Sequence, residues 1–99
     1  MYKSIIWSTL SVADIENTID YLHLAWNEQI EFAFLDNIES LIFQISNNPK
    51  QFPIVNKKNK VRKCVVTKYN TIFYRETKNR IEILRVFDTR QDPKKLKYK

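Results

Sequence analysis

The chain has 99 residues, 43% hydrophobic and 28% charged, which excludes an intrinsically disordered polymer and predicts a single domain over residues 1–99. No stretch approaches the roughly 18 apolar residues of a membrane span, and the short apolar patch near the N-terminus is not expected to be a signal peptide. With one cysteine (Cys64) and one histidine (His23), an internal disulfide is excluded, and we expect a reduced, cytoplasmic protein without metal or cofactor.

The net charge of +6 is distributed unevenly along the chain. Residues 1–56 hold two lysines and seven acidic residues, a net of −5. Residues 57–99 hold fifteen lysines and arginines and four acidic residues, a net of +11. A separation of this kind predicts a polyanionic or acidic partner for the basic half.

The N-terminal part predicts a short strand and then an amphipathic helix. The segment from Tyr2 to Trp7 is prone to form a strand, with apolar side chains on both faces. Ser8, Thr9 and Ser11 offer oxygens for the N-cap of the helix, and Asp14 stands three residues after Ser11, as in a capping pair. The apolar stripe has steps of three and four residues: Val12, Ile15, Ile19, Leu22 and Trp26.

A second amphipathic helix follows after two or three residues. Asn27 is a suitable N-cap, and Pro49 disfavours the helical conformation at Asn48 and so ends the helix. The stripe again has steps of three and four: Ile30, Phe34, Ile38, Leu41 and Ile45. Because the connection is short, the helices should be antiparallel neighbours. The side chains expected to be largely buried are Ile19, Trp26, Phe34, Ile38 and Leu41.

The second half of the chain predicts a sheet. Residues 49–60 predict a basic loop, and three β-prone segments follow: Val61–Thr67, Thr71–Thr77 and Ile81–Phe87. We therefore expect an α+β fold, with an N-terminal strand and an antiparallel αα-hairpin packed on one face of a three- to four-stranded, mainly antiparallel sheet. The other face of the sheet is expected to be open.

That open face is expected to be basic. In the last strand Leu84 and Val86 should share one side, with Arg85 on the other. Because a buried, unpaired guanidinium is costly, we assign Arg85 to the open face. The same alternation places either Arg62 or Lys63 there.

The order of elements and two stretches of sequence resemble the RelE/ParE family of bacterial toxins. The first stretch is similar to the helical hairpin of the ParE branch: Ala13-Asp14-Ile15-Glu16, Asp20-Tyr21-Leu22, Trp26, Phe34 and Pro49. The second is similar to the three-strand sheet and basic end segment of both branches: Val61-Arg62-Lys63, Ile72-Phe73-Tyr74, Ile81-Glu82-Ile83-Leu84 and Phe87-Asp88-Thr89-Arg90-Gln91-Asp92-Pro93.

The resemblance implies a growth-inhibiting toxin of a type II toxin–antitoxin system. RelE-like members cleave messenger RNA on the ribosome, whereas ParE-like members inhibit DNA gyrase. In both branches a flexible antitoxin wraps the toxin. The resemblance therefore also implies a hetero-oligomer with a cognate acidic antitoxin, and no membrane partner.

The two branches need different chemistry. Ribonuclease catalysis requires a base for the 2′-hydroxyl, an acid for the leaving 5′-oxygen and cations for the charged phosphorane. Asn70 and Asp88 stand where RNA-cleaving relatives have arginine and histidine, and His23 is expected on the solvated surface. We therefore expect gyrase inhibition, with ribosome-dependent cleavage of messenger RNA as the alternative. The resemblance offers four catalytic candidates for that alternative: Arg62, Arg85, Arg90 and Tyr98.

Contacts with the target or the antitoxin are assigned to the basic half: Arg62, Lys63, Arg75, Arg85, Arg90, Lys94 and Lys95. Arg90 matches the family best, and Pro93 stiffens its segment, so its guanidinium should be free to bind a phosphate or carboxylate bidentately. A surface ion pair of Arg90 with Asp88 or Asp92 is the competing interpretation. A basic nucleic-acid-binding module without toxin activity is a further alternative, which would lack a neighbouring gene for a short acidic protein.

The charge separation predicts fast association with the acidic antitoxin that slows as salt is added. Complementary charges raise the association rate, and salt screens them once the Debye length falls below about 10 Å. Stopped-flow association rates at about 50 and 500 mM salt span that range and check the prediction. Equal rates at both concentrations would contradict it.

Overall fold

The computed structural model describes residues 3–98, and within them two α-helices pack on a five-stranded sheet. The helices are α1 (Thr9–Ala25) and α2 (Glu28–Asn47). The strands are β1 (Ser4–Trp7), β2 (Ile54–Asn56), β3 (Val61–Thr67), β4 (Asn70–Glu76) and β5 (Arg80–Asp88). Short 3₁₀ turns cover Pro49–Gln51 and Pro93–Lys95. The predicted α+β arrangement is confirmed, although Tyr2 lies outside the described residues.

The strand order is β1-β5-β4-β3-β2, so the last strand lies between β1 and β4. β1 runs parallel to β5, and the other neighbours are antiparallel. The sheet has one strand more than predicted, because β2 forms within residues 49–60, a segment expected to be a loop. A three-residue edge strand is too short to show an alternating pattern. Neither of the helices formed by residues 3–98 has the length and apolar character of a membrane span.

Both helices begin at side-chain caps. Ser8 is the N-cap of α1, since its hydroxyl accepts the Ser11 amide at 3.0 Å. Ser11 is buried and donates its own hydroxyl to the Ser8 carbonyl at 2.8 Å, so it does not form the expected capping pair with Asp14. Asn27 caps α2 as predicted and accepts the Ile30 amide at 3.1 Å.

The main core lies between the hairpin and one face of the sheet. Phe34 and Ile38 are buried there as predicted, and Ile19 and Leu41 are half-buried. The prediction for Trp26 is wrong, because 62% of this residue is exposed. Trp26 follows the last residue of α1 and lies in the short connection between the helices, so it is not part of the stripe that packs on the sheet.

The second face of the sheet is not open, contrary to the prediction. A smaller core forms there from one residue of β3, one of β4 and two of β5, with the C-terminal tail packed against it. Its members are Val61, Phe73, Leu84 and Phe87, covered by Leu96 and Tyr98. The two large apolar side chains of the tail need a surface on which to bury, and this face of the sheet provides one.

A β-bulge explains why the predicted alternation in β5 is wrong. Phe73 pairs with Arg85 and Tyr74 with Ile83, so Leu84 is an extra residue on the β5 side. An extra residue reverses the alternation beyond it. Leu84 therefore packs in the tail-covered core and Val86 in the helix-covered core, although they were predicted to share a side.

Arg85 was predicted to lie on a solvated face, but it is buried, with 8% of its surface exposed. Its Nε and NH2 atoms donate to the two Asp14 carboxylate oxygens at 2.7 and 2.8 Å. Its NH1 atom donates to the carbonyls of Lys95 and Lys97 at 3.3 and 2.8 Å. The hydrogen bond with Asp14 raises the pKa of Arg85. The guanidinium thus connects α1, β5 and the tail. The cost of burying its charge is offset by the Asp14 carboxylate, which was not predicted to be its partner.

We predict that Asp14→Ala destabilises the protein by about 3 to 5 kcal/mol, because it leaves the Arg85 charge buried without a partner. Urea denaturation measures the change in the free energy of unfolding. Glu16→Ala removes an exposed carboxylate from the same helix and should change it by less than about 0.5 kcal/mol. The double substitution Asp14→Leu with Arg85→Met should recover part of the loss, since no charge is then buried. A loss below about 1 kcal/mol for Asp14→Ala would contradict the assignment.

Candidate functional site

Arg90 follows the end of β5 and is held there by Asp88. The guanidinium donates to the two carboxylate oxygens at 3.1 and 2.9 Å, and the Arg90 amide donates to the first of them at 2.9 Å. Thr89 fastens the same segment to the turn between β3 and β4, through its amide to the Tyr69 carbonyl at 2.8 Å and its hydroxyl to the Lys68 carbonyl at 3.0 Å. The position of Arg90 is therefore fixed by its hydrogen bonds with Asp88 and by those that bind the neighbouring Thr89 to the β3–β4 turn.

The guanidinium of Arg90 also lies over two aromatic rings. Its central carbon is 4.6 Å from the Tyr69 ring centroid and 5.3 Å from that of Tyr21 on α1. The side chain remains 47% exposed, as expected. The hydrogen bond with Asp88 raises the pKa of Arg90 and lowers that of Asp88. The surface ion pair with Asp88 is present, and the guanidinium keeps an exposed face that the two rings support. Binding of a phosphate or carboxylate by Arg90 stays a prediction.

Beside Arg90 an apolar cleft opens between the closed end of the helical hairpin and the β3–β4 turn. We call it the hairpin groove. It encloses about 550 Å³, and apolar and aromatic side chains make up much of its lining. The lining residues are Thr18, Tyr21, Leu22, Trp26, Ile30, Ala33, Phe34, Asn37, Thr67, Tyr69, Asn70 and Arg90. An exposed tryptophan, two exposed tyrosines and an arginine at an apolar groove are the residue types enriched where proteins bind one another.

The remaining catalytic candidates lie elsewhere. Arg62 donates through NH1 to the Lys50 and Phe52 carbonyls at 3.1 and 2.6 Å, and it lines a cleft with Lys50. Tyr98 packs against Phe73, with ring centroids 6.0 Å apart, and burial raises its pKa. Arg85 is bound by Asp14 and by carbonyls of the tail. Because Arg62, Tyr98 and Arg90 line three different clefts, the four candidates do not converge on one reaction centre.

The other predicted contact residues are distributed around the basic half. Arg75 is 2.6 Å from Glu82 in an ion pair on neighbouring strands. Lys63 is exposed on β3, where it pairs in register with Phe73. Lys94 and Lys95 are exposed in the 3₁₀ turn whose N-cap is Asp92. The structure brings none of these four next to Arg90.

Cys64, Tyr74 and His23 lie in three different surroundings. Cys64 is buried in the helix-covered core, and burial raises its pKa to about 11, which suppresses the reactive thiolate. Tyr74 is buried too and donates its hydroxyl to the Pro49 carbonyl at 2.6 Å. His23 lies on the surface, 3.5 Å from Glu31. In this part of the chain no three His, Cys, Asp or Glu side chains form a group that could hold a metal ion.

The surroundings of Arg90 are not predicted by the sequence. Tyr21 appears there only as part of a family motif, Trp26 is predicted to be core, and no contact is predicted for Tyr69. An available signal was the large aromatic side chain of Tyr69 in a turn, where small polar residues are favoured. The packing of Tyr21 and Tyr69 against one guanidinium joins residues far apart in sequence, so no local pattern predicts it.

Comparison with known proteins gives a family and a fold. The family described as ParE toxin of type II toxin-antitoxin system, parDE, matches residues 5–93. A structure from a chromosomal ParDE toxin–antitoxin system of P. aeruginosa superposes with a TM-score of 0.74 at 16% sequence identity, covering 88% of this chain and 96% of that one. At this identity the superposition shows a shared fold. None of the curated proteins compared with the sequence matches it.

We predict that the Asp88–Arg90 pair makes folding stability sensitive to acid. Because Arg90 lowers the pKa of Asp88 in the folded state, the pair stabilises the protein above the unfolded pKa of about 3.9, and this contribution is lost as the pH falls through the folded value. Asp88→Asn and Arg90→Ala should each flatten the fall in unfolding free energy below about pH 4, as measured by chemical denaturation. Glu82, whose pKa is also lowered, should keep a residual slope that Glu82→Gln removes. Wild-type slopes in both Asp88→Asn and Arg90→Ala would contradict the prediction.

Proposed function

Because the chain belongs to the ParE toxin family of type II toxin–antitoxin systems, we propose that it inhibits bacterial growth by binding DNA gyrase. The observation that carries the proposal is the hairpin groove with Arg90 at its rim. Exposed aromatic rings beside a fixed guanidinium form a surface for binding a protein. Binding that holds gyrase in one state inhibits it without any catalytic group on the toxin.

The dispersal of the ribonuclease candidates supports the same target. A phosphoryl-transfer site needs its acid, base and cations within contact distance of one phosphate. Here the guanidinium of Arg85 is bound by Asp14 and two carbonyls, while Arg62 and Tyr98 line different clefts. Cleavage of messenger RNA on the ribosome is therefore the less favoured activity.

Membership of the family implies a cognate antitoxin of the ParD type. We propose that this antitoxin is acidic, that it forms a hetero-oligomer with the toxin, and that it covers the hairpin groove and Arg90. Carboxylates of the antitoxin would compete with Asp88 for the guanidinium, and its apolar side chains would fill the groove. Neutralisation would then follow from occlusion of the target-binding surface.

The proposal predicts that the purified full chain inhibits supercoiling by gyrase and that Arg90→Ala loses this inhibition. Removal of a charged hydrogen-bonding group should weaken binding by about 1.5 to 3 kcal/mol, roughly ten- to a hundredfold in affinity. Arg90→Lys should restore little of it, because an ammonium cannot form the bidentate fork. Supercoiling assays with purified gyrase measure the inhibition, and growth after induction without antitoxin measures the toxicity.

The matched control is Arg80→Ala. Arg80 is also an exposed arginine in an ion pair, 2.7 Å from Glu82, but it lies at the other end of β5. This variant should inhibit gyrase like the wild type. Normal supercoiling together with cleavage of messenger RNA in translating extracts would overturn the gyrase proposal. Full toxicity of a folded Arg90→Ala variant would remove Arg90 from the site.

A further inference from the structure

A second basic surface lies at the end of the sheet opposite Arg90. We call it the lysine cleft. It encloses about 480 Å³ where the β2–β3 turn, the β4–β5 turn and the 3₁₀ turn after α2 meet. Six of its lining residues are cations and one is an acid. The lining residues are Lys3, Lys50, Ile54, Lys57, Lys60, Arg62, Glu76, Thr77 and Lys78.

The backbone around the lysine cleft is fixed by specific contacts. The Asn56 side chain accepts the Asn59 amide at 3.0 Å and shapes the β2–β3 turn. Lys60 closes that turn with φ of 56°, a left-handed conformation that favours glycine, and among residues 3–98 it alone has a positive φ. Arg62 binds the carbonyls of Lys50 and Phe52 and so fastens the 3₁₀ turn to β3. The cations thus come from separate segments that the fold holds together.

The charge of the lysine cleft is largely uncompensated. Its one acid, Glu76, is 2.9 Å from Lys3, so those two charges cancel. In the part of the chain that the structure describes, Lys50, Lys57 and Lys78 have no ion-pair partner, and neither has Lys60. Four of the five arginines of the basic half are different, since each has a carboxylate partner: Arg75, Arg80, Arg85 and Arg90. The fifth, Arg62, lines the cleft and donates only to backbone carbonyls. Five cations without a carboxylate partner therefore line this one cleft: Lys50, Lys57, Lys60, Arg62 and Lys78.

The composition of the cleft distinguishes among anionic partners. Ile54 is its only large apolar lining residue, so an acidic peptide would find little surface for an apolar anchor, in contrast to the hairpin groove. None of its lining residues is aromatic, so single-stranded nucleic acid would find no ring on which to stack. Lysines act as point charges that bind phosphate without reading sequence. Duplex DNA, with one charge per about 1.7 Å of its axis, matches these properties.

We infer that the lysine cleft binds the phosphate backbone of duplex DNA, independently of sequence. The cleft and the hairpin groove lie at opposite ends of strands about 23 Å long, so both can be occupied at once. The inference goes beyond the proposed function, because DNA binding by the free chain does not require that gyrase be the target. If gyrase is the target, the toxin contacts the duplex that the enzyme holds as well as the enzyme itself.

The test is fluorescence anisotropy of a labelled 20-base-pair duplex with the full chain, without gyrase, over a series of salt concentrations. Lys57→Gln with Lys78→Gln should lower the affinity about tenfold at moderate salt. It should also reduce the slope of log affinity against log salt by about 2, since each lost phosphate contact contributes about 0.9. Neither side chain forms an ion pair or side-chain hydrogen bond within the described residues, so folding should be preserved, which circular dichroism checks.

The charge-matched control is Lys68→Gln with Lys97→Gln, which removes two exposed lysines outside the cleft. It should lower the affinity less than threefold and keep most of the slope. Equal losses in the two double variants would overturn the proposal, because general charge would then explain the binding. Unchanged duplex affinity in the cleft variant, with weakened binding of the antitoxin, would overturn it in favour of an acidic peptide. Inhibition of gyrase is measured separately, so failure of either proposal is distinguishable from failure of the other.

Discussion

The carboxylate of Asp14 crosses from α1 to the edge of β5, where it accepts the Val86 amide at 2.9 Å and the guanidinium of Arg85. β1 pairs with β5 only as far as Ile83, so the edge beyond it has no strand beside it, and Asp14 takes that place. The same guanidinium holds the tail over the second core through two carbonyls. The hairpin, β5 and the tail therefore depend on one buried ion pair. The bulge at Leu84 places the arginine where α1 can reach it.

The two ends of the sheet have different surfaces. At one end the connection between the helices leaves Trp26 exposed, and this side chain lines an apolar groove together with Tyr69. At the other end short turns bring lysines together without acids to compensate them. A net charge of +11 in one half of the sequence thus does not describe the molecule well, because arginines such as Arg75 and Arg90 are already paired. A binding partner meets only the charge that remains after these ion pairs have formed.

Local patterns predicted the helices, the three long strands and the caps at Ser8 and Asn27, because periodicity and capping depend on neighbours in sequence. They failed where the cause lies elsewhere in the chain. Arg85 was assigned to solvent because its partner is 71 positions away, and the bulge that reverses the alternation at Leu84 leaves no trace in composition. In the site, Arg90 could be predicted from the family resemblance. The rings that support it could not, since they come from α1 and a distant turn.

The position of β5 between β1 and β4 has a consequence for synthesis. β1 joins the sheet only through a strand that begins at Arg80, and both cores need residues of β5. The ribosome must therefore synthesise the chain as far as β5 before the N-terminal strand and the hairpin can pack, and such long-range pairing is slow to form. The nascent chain carries its exposed apolar stripes without a fold until then. A ParD-type antitoxin, which membership of the family implies, would thus have an interval in which to meet the toxin before the sheet is complete.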